Sequence, residues 1–323
     1  MSENVAAASA TTNPHSGRDD GIAFAAMTIL LIVAPLLIYP FFLMQALCIA
    51  LFACAFNLLV GYVGLLSFGH AMFLGMASYV CAHAAKTWGL DPELSILCGV
   101  AVSAGLGLVA GALAIRSQGI YFAMITVALS QMVYFFCVEA PFTHGEDGIQ
   151  GVPQGRAFGL LDLSQPALLY VFVAAIFLFG FLTVYRAVNS PFGEILKAIR
   201  ENEPRAISLG YRVQRYKLAA FALSAALAGL AGATKAIVVQ NASLTDVAFP
   251  MSGEVVLMTL LGGMGTLYGP VVGAIVVVSM QNYLAQYGQW VTVIQGAVFV
   301  ACVLAFRRGI VGEIANALKW TSL

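Results

Sequence analysis

Few side chains in this sequence stand where acid–base, metal or nucleophilic chemistry is done. His70 and His83 are the ionisable groups nearest the middle of apolar stretches. A protonatable group at membrane depth marks proton relays and ion sites, and a lone histidine there serves equally well as a hydrogen-bonded packing residue. Glu139, Lys235 and Glu254 fall near the ends of such stretches, where long side chains reach polar surroundings. The six cysteines (Cys48, Cys54, Cys81, Cys98, Cys137, Cys302) all lie in apolar segments with no CxxC pair. They read as small apolar filler and not as a zinc site or a disulfide framework. No GxxxxGK[ST] sequence is present. The nearest look-alike, Gly229-Leu230-Ala231-Gly232-Ala233-Thr234-Lys235, has the wrong order. The expectation is no catalytic residue, no metal and no cofactor.

The elements around these residues explain the shortage. Of 323 residues 61% are apolar and 9% charged, against about 25% charged in soluble domains. A water-soluble surface cannot be made from so few charges. No Asp, Glu, Lys or Arg occurs from Gly21 to Ala85 or from Val255 to Phe306. Each run exceeds one span of about 20 residues, so each holds several helices joined by short turns. Stretches such as Ile29-Leu30-Leu31-Ile32-Val33 lack the alternation of a β-barrel. The fold class is therefore all-α, a polytopic membrane bundle. A formal net charge of +0 implies no nucleic-acid partner.

Ten helices are predicted, over 22–39, 41–60, 66–85, 93–115, 119–139, 166–185, 217–239, 253–267, 269–287 and 290–306. Residues 1–20 read as a disordered tail, 21–310 as one membrane domain and 311–323 as a second tail. The short, Gly-rich eighth segment is either a crossing or re-entrant, and charge parity favours a crossing. The 186–216 loop holds Arg186, Lys197, Arg200, Arg205, Arg212 and Arg215, with Lys217 at its edge, so the positive-inside bias makes it cytoplasmic. With ten crossings, Arg18, Arg116, Arg307, Arg308 and Lys319 fall on the same side, leaving Lys86, Arg156 and Lys235 outside. Both termini are then cytoplasmic and the 140–165 loop external.

A chain with no mid-membrane charge and no nucleotide motif is either a passive pore or a pathway driven by another protein. The inner loop bears on that choice. Ser190-Pro191 suits a helix start, with Glu194 in the first turn and Lys197 and Arg200 later. Ile195, Leu196 and Ile199 share a face. Pro204 opens a second short helix, which Gly210 ends through a left-handed cap. Two short amphipathic helices form a docking surface; a solvated connector is the plainer reading. Two Gly-rich clusters interrupt the apolar runs: Gly61, Gly64 and Gly69 with Ser67 and His70, and Gly262, Gly263 and Gly265 with Thr266 and Pro270. Each serves either close helix packing or a break beside the pathway. Gly107/Gly111, Ala225/Gly229/Ala233 and Gly265/Gly269/Gly273 fit the packing pattern. Asn57, Thr126, Ser130, Gln131, Ser224, Ser279, Gln281 and Asn282 are polar residues within spans, each able to bond across helices for about 1 kcal/mol or less.

The inner loop, Ser190-Pro191-Phe192-Gly193 followed by Ala198-Ile199-Arg200-Glu201-Asn202-Glu203 and Ala206 to Gly210, closely resembles the coupling loop of LivM-type permeases of bacterial branched-chain amino-acid ABC importers. Gly61-Tyr62-Val63-Gly64-Leu65-Leu66-Ser67-Phe68-Gly69-His70-Ala71-Met72-Phe73-Leu74-Gly75 is similar to the family's Gly-rich second/third-span motif. Tyr121 to Thr126 is similar to its fifth span, and Leu260 to Ala274 to its late Gly-rich hairpin. The resemblance runs from about residue 40 to 310. It implies a permease subunit in the bacterial inner membrane, moving branched-chain or related apolar amino acids from periplasm to cytoplasm. The implied partners are a second related permease, two cytoplasmic ATPases that hydrolyse ATP, and a periplasmic binding protein. It places Glu194, Arg200, Glu201, Glu203, Arg205, Ala206 and Gly210 at the ATPase contact, with Glu203, Ala206 and Gly210 matching the coupling helix. Gly61, Gly64, Ser67, Gly69, His70, Gly75, Thr126, Gly262, Gly263, Gly265 and Thr266 are the pathway or hinge candidates. His144 departs from the family's Thr-Gly-Gly-x-x-Gly outer loop. A urea or short-amide ABC permease is the alternative, followed by a passive channel; missing mid-membrane charges disfavour an ion-coupled carrier.

Overall fold

The computed structural model describes residues 24, 27–35, 38–157, 159, 161–284, 286, 288, 290–305 and 309–317. The expected tail over 1–20 with Arg18, and also Arg307, Arg308 and Lys319, lie outside the described residues.

Helices dominate. Residues 27–35 are helical (α1). They are followed by α2 (Pro40–Asn57), which runs on as a π-helical turn over Leu58–Val63, then α3 (Ala71–Lys86), α4 (Pro92–Ala114), α5 (Ile120–Glu139) and α6 (Pro166–Val188). Two short helices, α7 (Pro191–Glu201) and α8 (Glu203–Ser208), precede the long α9 (Val213–Val239). The chain continues with α10 (Phe249–Gly262), α11 (Gly269–Leu284), α12 (Trp290–Ala305) and α13 (Gly309–Ala317). Prolines open α2, α4, α6 and α7, where the missing N–H costs no bond and the fixed φ is already helical.

Among the described residues, five helices are long and apolar enough to cross a membrane: 40–63, Pro92–Ala114, Ile120–Glu139, Pro166–Val188 and Val213–Val239. Shorter apolar helices cover Phe249–Gly262 and Gly269–Leu284. The chain is a multi-pass helical membrane protein. α2 is its axis, 94% buried across its apolar window. α9 packs beside it against α3 and α4 through small residues: Gly107 of α4 faces Ala225, and Gly229 faces Ser103, whose hydroxyl donates to the Ala225 carbonyl at 2.7 Å. This is the close-approach packing expected where lipid offers no hydrophobic drive.

The third helix begins at Ala71 and not at 66. The π-turn ends at Gly64 with φ +79°, and residues 64–70 are non-helical. Leu65, Leu66 and Phe68 extend the apolar pattern across this break, so periodicity alone reads through it. The first residues expected in the C-terminal tail instead form α13, which buries Val311 and sets Gly309 against Gly263.

Contacts sort the connecting segments into two ends. At the far end, β1 (Ile149–Gln150) pairs antiparallel with β4 (Asn241–Ala242), Ile149 opposite Ala242. There Lys86 donates to the Gln150 carbonyl at 2.7 Å. A second two-stranded pair, β2 (Arg156–Ala157) with β3 (Leu161–Asp162), completes the 140–165 segment. At the near end, Gln118 between α4 and α5 donates to Glu203 at 3.1 Å, and α7 reaches both the π-turn and the turn after α10.

Candidate functional site

Sequence order predicts the near-end helices well. α7 carries an apolar face that buries Leu196 and Ile199. Ser190 stands before Pro191, and the Asn202 side chain accepts from the Arg205 backbone N–H at 3.0 Å, capping α8. Gly210 ends α8 at φ +88°. Its N–H donates to the Ile207 carbonyl at 2.9 Å, and the Tyr211 N–H to the Ala206 carbonyl at 3.2 Å. This double bond pattern needs a left-handed residue, which only glycine takes without cost. Ala206 is buried with Ile199 and Val213. In contrast Ile207 is 58% and Leu209 69% exposed, large apolar side chains left uncovered on a charged loop.

The acidic and basic candidates divide. Glu194 pairs with Lys197 at 2.8 Å on the exposed face of α7, and Glu201 and Arg205 are exposed. Glu203 is engaged inside the chain, with Lys217 of α9 at 2.7 Å and Gln118 at 3.1 Å. Lys217 has only 5% of its side chain exposed. Glu203→Gln therefore strands a buried ammonium, and the expected cost is about 1–3 kcal/mol. Heat unfolding of the purified protein should show the loss, and the double variant Glu203→Gln/Lys217→Met should recover much of it.

Arg200 is exposed along part of its length, but its guanidinium turns the other way. Its Nη1 donates to the Gly61 carbonyl, inside the π-turn that interrupts α2. Asn57, one turn before, spans to the turn after α10: its amide Nδ2 donates to the Thr266 carbonyl at 2.8 Å, and its Oδ1 accepts from the Gly265 N–H at 3.0 Å. Gly61 lies between. A Cβ there would stand 2.5 Å from Asn57 Oδ1 and 2.7 Å from the Gly265 nitrogen, so the site admits no side chain. Gly64 and Gly265 both face the Arg200 side chain. Candidates from the inner loop and from both Gly-rich clusters thus meet at one node: Arg200, Gly61, Gly64, Gly265 and Thr266, tied by Asn57. Thr266 also caps α11, its hydroxyl accepting from the Gly269 N–H at 3.1 Å.

Gly263 joins the node through its carbonyl, which accepts from the Thr266 hydroxyl at 2.8 Å; the remaining candidates sit apart. Gly69 packs against the Thr126 backbone. The Thr126 hydroxyl accepts from the Phe68 N–H at 3.2 Å, and Ser67 accepts from the Gly69 N–H at 3.4 Å. These bonds satisfy the backbone that the break frees. His70 is fully buried among Phe56, Phe73 and Phe221, with Nε2 2.8 Å from the Ser224 hydroxyl. Gly75 packs on Val247, Gly262 on Gly269, and Gly263 on Gly309. Beside Gly64 and Phe68 an apolar cavity of about 480 Å³ opens against Ile120, Phe122 and Met124. It touches the node at Gly64 alone.

Asn57 is the residue that reading the sequence undervalues. It ranks there as one polar residue among eight, and its partners lie 208 and 209 positions away. The only local signal is Gly61, four residues on and hence on the same helical face. His144 has a physical account too. It holds φ +59°, a conformation comfortable for glycine and uncommon for histidine.

Two relatives named "High-affinity branched-chain amino acid transport system permease protein LivM" align over most of the chain. The one from Salmonella typhimurium is 26% identical over 82% of this chain and 68% of its own length. The one from Escherichia coli is 25% identical over 81% and 67%. "Ribose import permease protein RbsC" of Bacillus subtilis is 27% identical over 68% of this chain and 70% of its own. No solved structure matches. The family described as "Branched-chain amino acid transport system / permease component" matches residues 38–304, and with its helical bundle and charged near-end loop the chain belongs to that family of transport permeases.

Proposed function

We propose that this chain forms one half of the membrane pathway of an ATP-binding-cassette importer for branched-chain or related apolar amino acids, in the bacterial inner membrane. A second related permease completes the pathway. Two cytoplasmic ATPases dock on α7 and α8, and a periplasmic binding protein delivers substrate at the far end. The near end is cytoplasmic, because it carries the basic 186–216 loop. α10 runs from the far-end turn at Leu244–Asp246 to the near-end node, which favours a crossing for the eighth segment. Ten crossings then leave both termini in the cytoplasm.

One observation carries the reading. A charged loop that exposes Ile207 and Leu209 also sends Arg200 into the break in α2. A docking surface and a pathway element are thus joined by one side chain. ATP-driven closure of the ATPases moves α7, and α7 moves the π-turn and the turn after α10. This chain supplies walls and levers, and its partners hydrolyse ATP.

The test is purification of the native complex and its reconstitution in liposomes, with uptake measured for a panel of amino acids, urea and short amides. ATP-dependent uptake of leucine, isoleucine or valine supports the reading. Uptake of urea or amides alone makes it the alternative importer. Flux through the isolated chain without ATP makes it a channel.

A further inference from the structure

The far end holds a second set of charges that the coupling scheme leaves unused. A cavity of about 320 Å³ opens between α2, α9, α10, α11 and the turn before α10. Lys235 of α9 and Asp246 of that turn form an ion pair in its wall. Glu254 of α10 lies in the same wall and accepts from the Gln281 amide at 2.9 Å. Ile49 of α2 and Met258 of α10 supply apolar lining.

The charges do not balance. Two carboxylates share one ammonium: Lys235 bonds Asp246 and also acts through space on Glu254, whose hydrogen bond comes from the neutral Gln281 amide. A carboxylate inside a membrane bundle whose charge is only partly offset marks a functional site by default. Lys235 keeps spare donors, since an ammonium has three and Asp246 takes one. A ligand that brings its own cation to Glu254 and a carboxylate to Lys235 completes both sets. Beyond those two groups the wall is mixed: Gln45, Thr245 and Gln281 are polar, and Ile49, Met251, Met258 and Val278 give an apolar side. The volume sits at the small end of the range for ligand sites, about 300–1,000 Å³.

We propose that this cavity is a zwitterion seat, holding a free α-amino acid with an apolar side chain as it leaves the far-end loops. The α-ammonium meets Glu254, the α-carboxylate meets Lys235, and the side chain lies along Ile49 and Met258. Urea and other neutral amides bring no cation for Glu254 and gain only neutral hydrogen bonds there. The inference rests on the amino-acid import reading above.

The experiment uses the full complex in detergent, without its binding protein, and measures equilibrium binding of radiolabelled leucine and alanine. Gel filtration of each variant complex checks assembly. Glu254→Gln should weaken leucine binding about tenfold or more, because the ammonium loses its counter-charge. Met258→Trp should cost leucine more than alanine, a size-dependent split that a purely structural role would not produce. It also carries the test if Glu254→Gln does not assemble. Isopentylamine and 4-methylpentanoate, each lacking one charge of leucine, should compete poorly. Native complex that imports leucine yet shows no saturable binding here overturns the site. So does equal binding of both amino acids by both variants. Native complex that imports only urea or amides overturns the import reading instead, and the zwitterion seat with it.

Discussion

Replacing Arg200 by methionine should sharply lower uptake while the complex still assembles and still hydrolyses ATP. The guanidinium bond to the Gly61 carbonyl is the direct link between α7 and the broken end of α2. A hydrogen bond to a charged donor is worth about 1.5–3 kcal/mol, and each 1.4 kcal/mol is about tenfold in an equilibrium. Arg200 is partly exposed, which places the link at the weak end of that range, and its loss should lower uptake by about tenfold. Methionine keeps much of the apolar stem that lies beside Gly64, so packing of α7 survives. Arg200→Lys should recover part of the activity, because it restores the charge on a stem without the planar fork. The measurement is uptake and ATP hydrolysis side by side in proteoliposomes. Uptake within twofold of native would show that α7 acts through some other contact.

The largest loss of stability is expected from Asn57→Leu. The two side chains are close in size, but leucine leaves the Gly265 N–H and the Thr266 carbonyl without the partners they have now. Each buried unsatisfied group costs about 1–3 kcal/mol, so the change costs about 2–6 kcal/mol. Asn57 has 1% of its surface exposed, whereas Gly265 and Thr266 are half-buried, so water that reaches them places the cost toward the lower end of that range. The apparent melting temperature in detergent should fall by about 5 °C or more. Ser279→Ala is the matched control. Among the described residues that hydroxyl bonds only the Ile275 carbonyl of its own helix, and the expected change is within about 0.5 kcal/mol. Equal melting temperatures for the two variants would mean that the turn after α10 holds itself.

Much of the bundle is legible because charge is expensive in lipid. The runs without Asp, Glu, Lys or Arg delimit the helices, and proline and glycine at 191, 204 and 210 delimit the near-end pair. These signals are local, and the structure agrees with them. What the sequence hides is non-local. Nothing near Glu203 says that its partner is Lys217 and not another protein's arginine. The pairing of Asn57 with the turn at 265–266 crosses more than two hundred residues. Leu65, Leu66 and Phe68 look helical because hydrophobic periodicity reports burial and is blind to a backbone that has left the helix. Lys235 and Glu254 read as ends of spans reaching for polar surroundings. Only the fold turns both toward one cavity.

The pairing of β1 with β4 carries a mechanical consequence. Ile149 faces Ala242 across that ladder, and the Val152 N–H donates to the Gln240 carbonyl at 3.1 Å. The two rim segments are stitched into one plate, and the shorter continues through the tight turn at Leu244–Asp246 into α10. The opposite tip of α10 is clamped through Asn57. A pushrod fastened at both tips, about 21 Å long at 1.5 Å per residue, delivers a load applied to the plate to the clamp. It delivers a pull on the clamp to the plate in the same stroke.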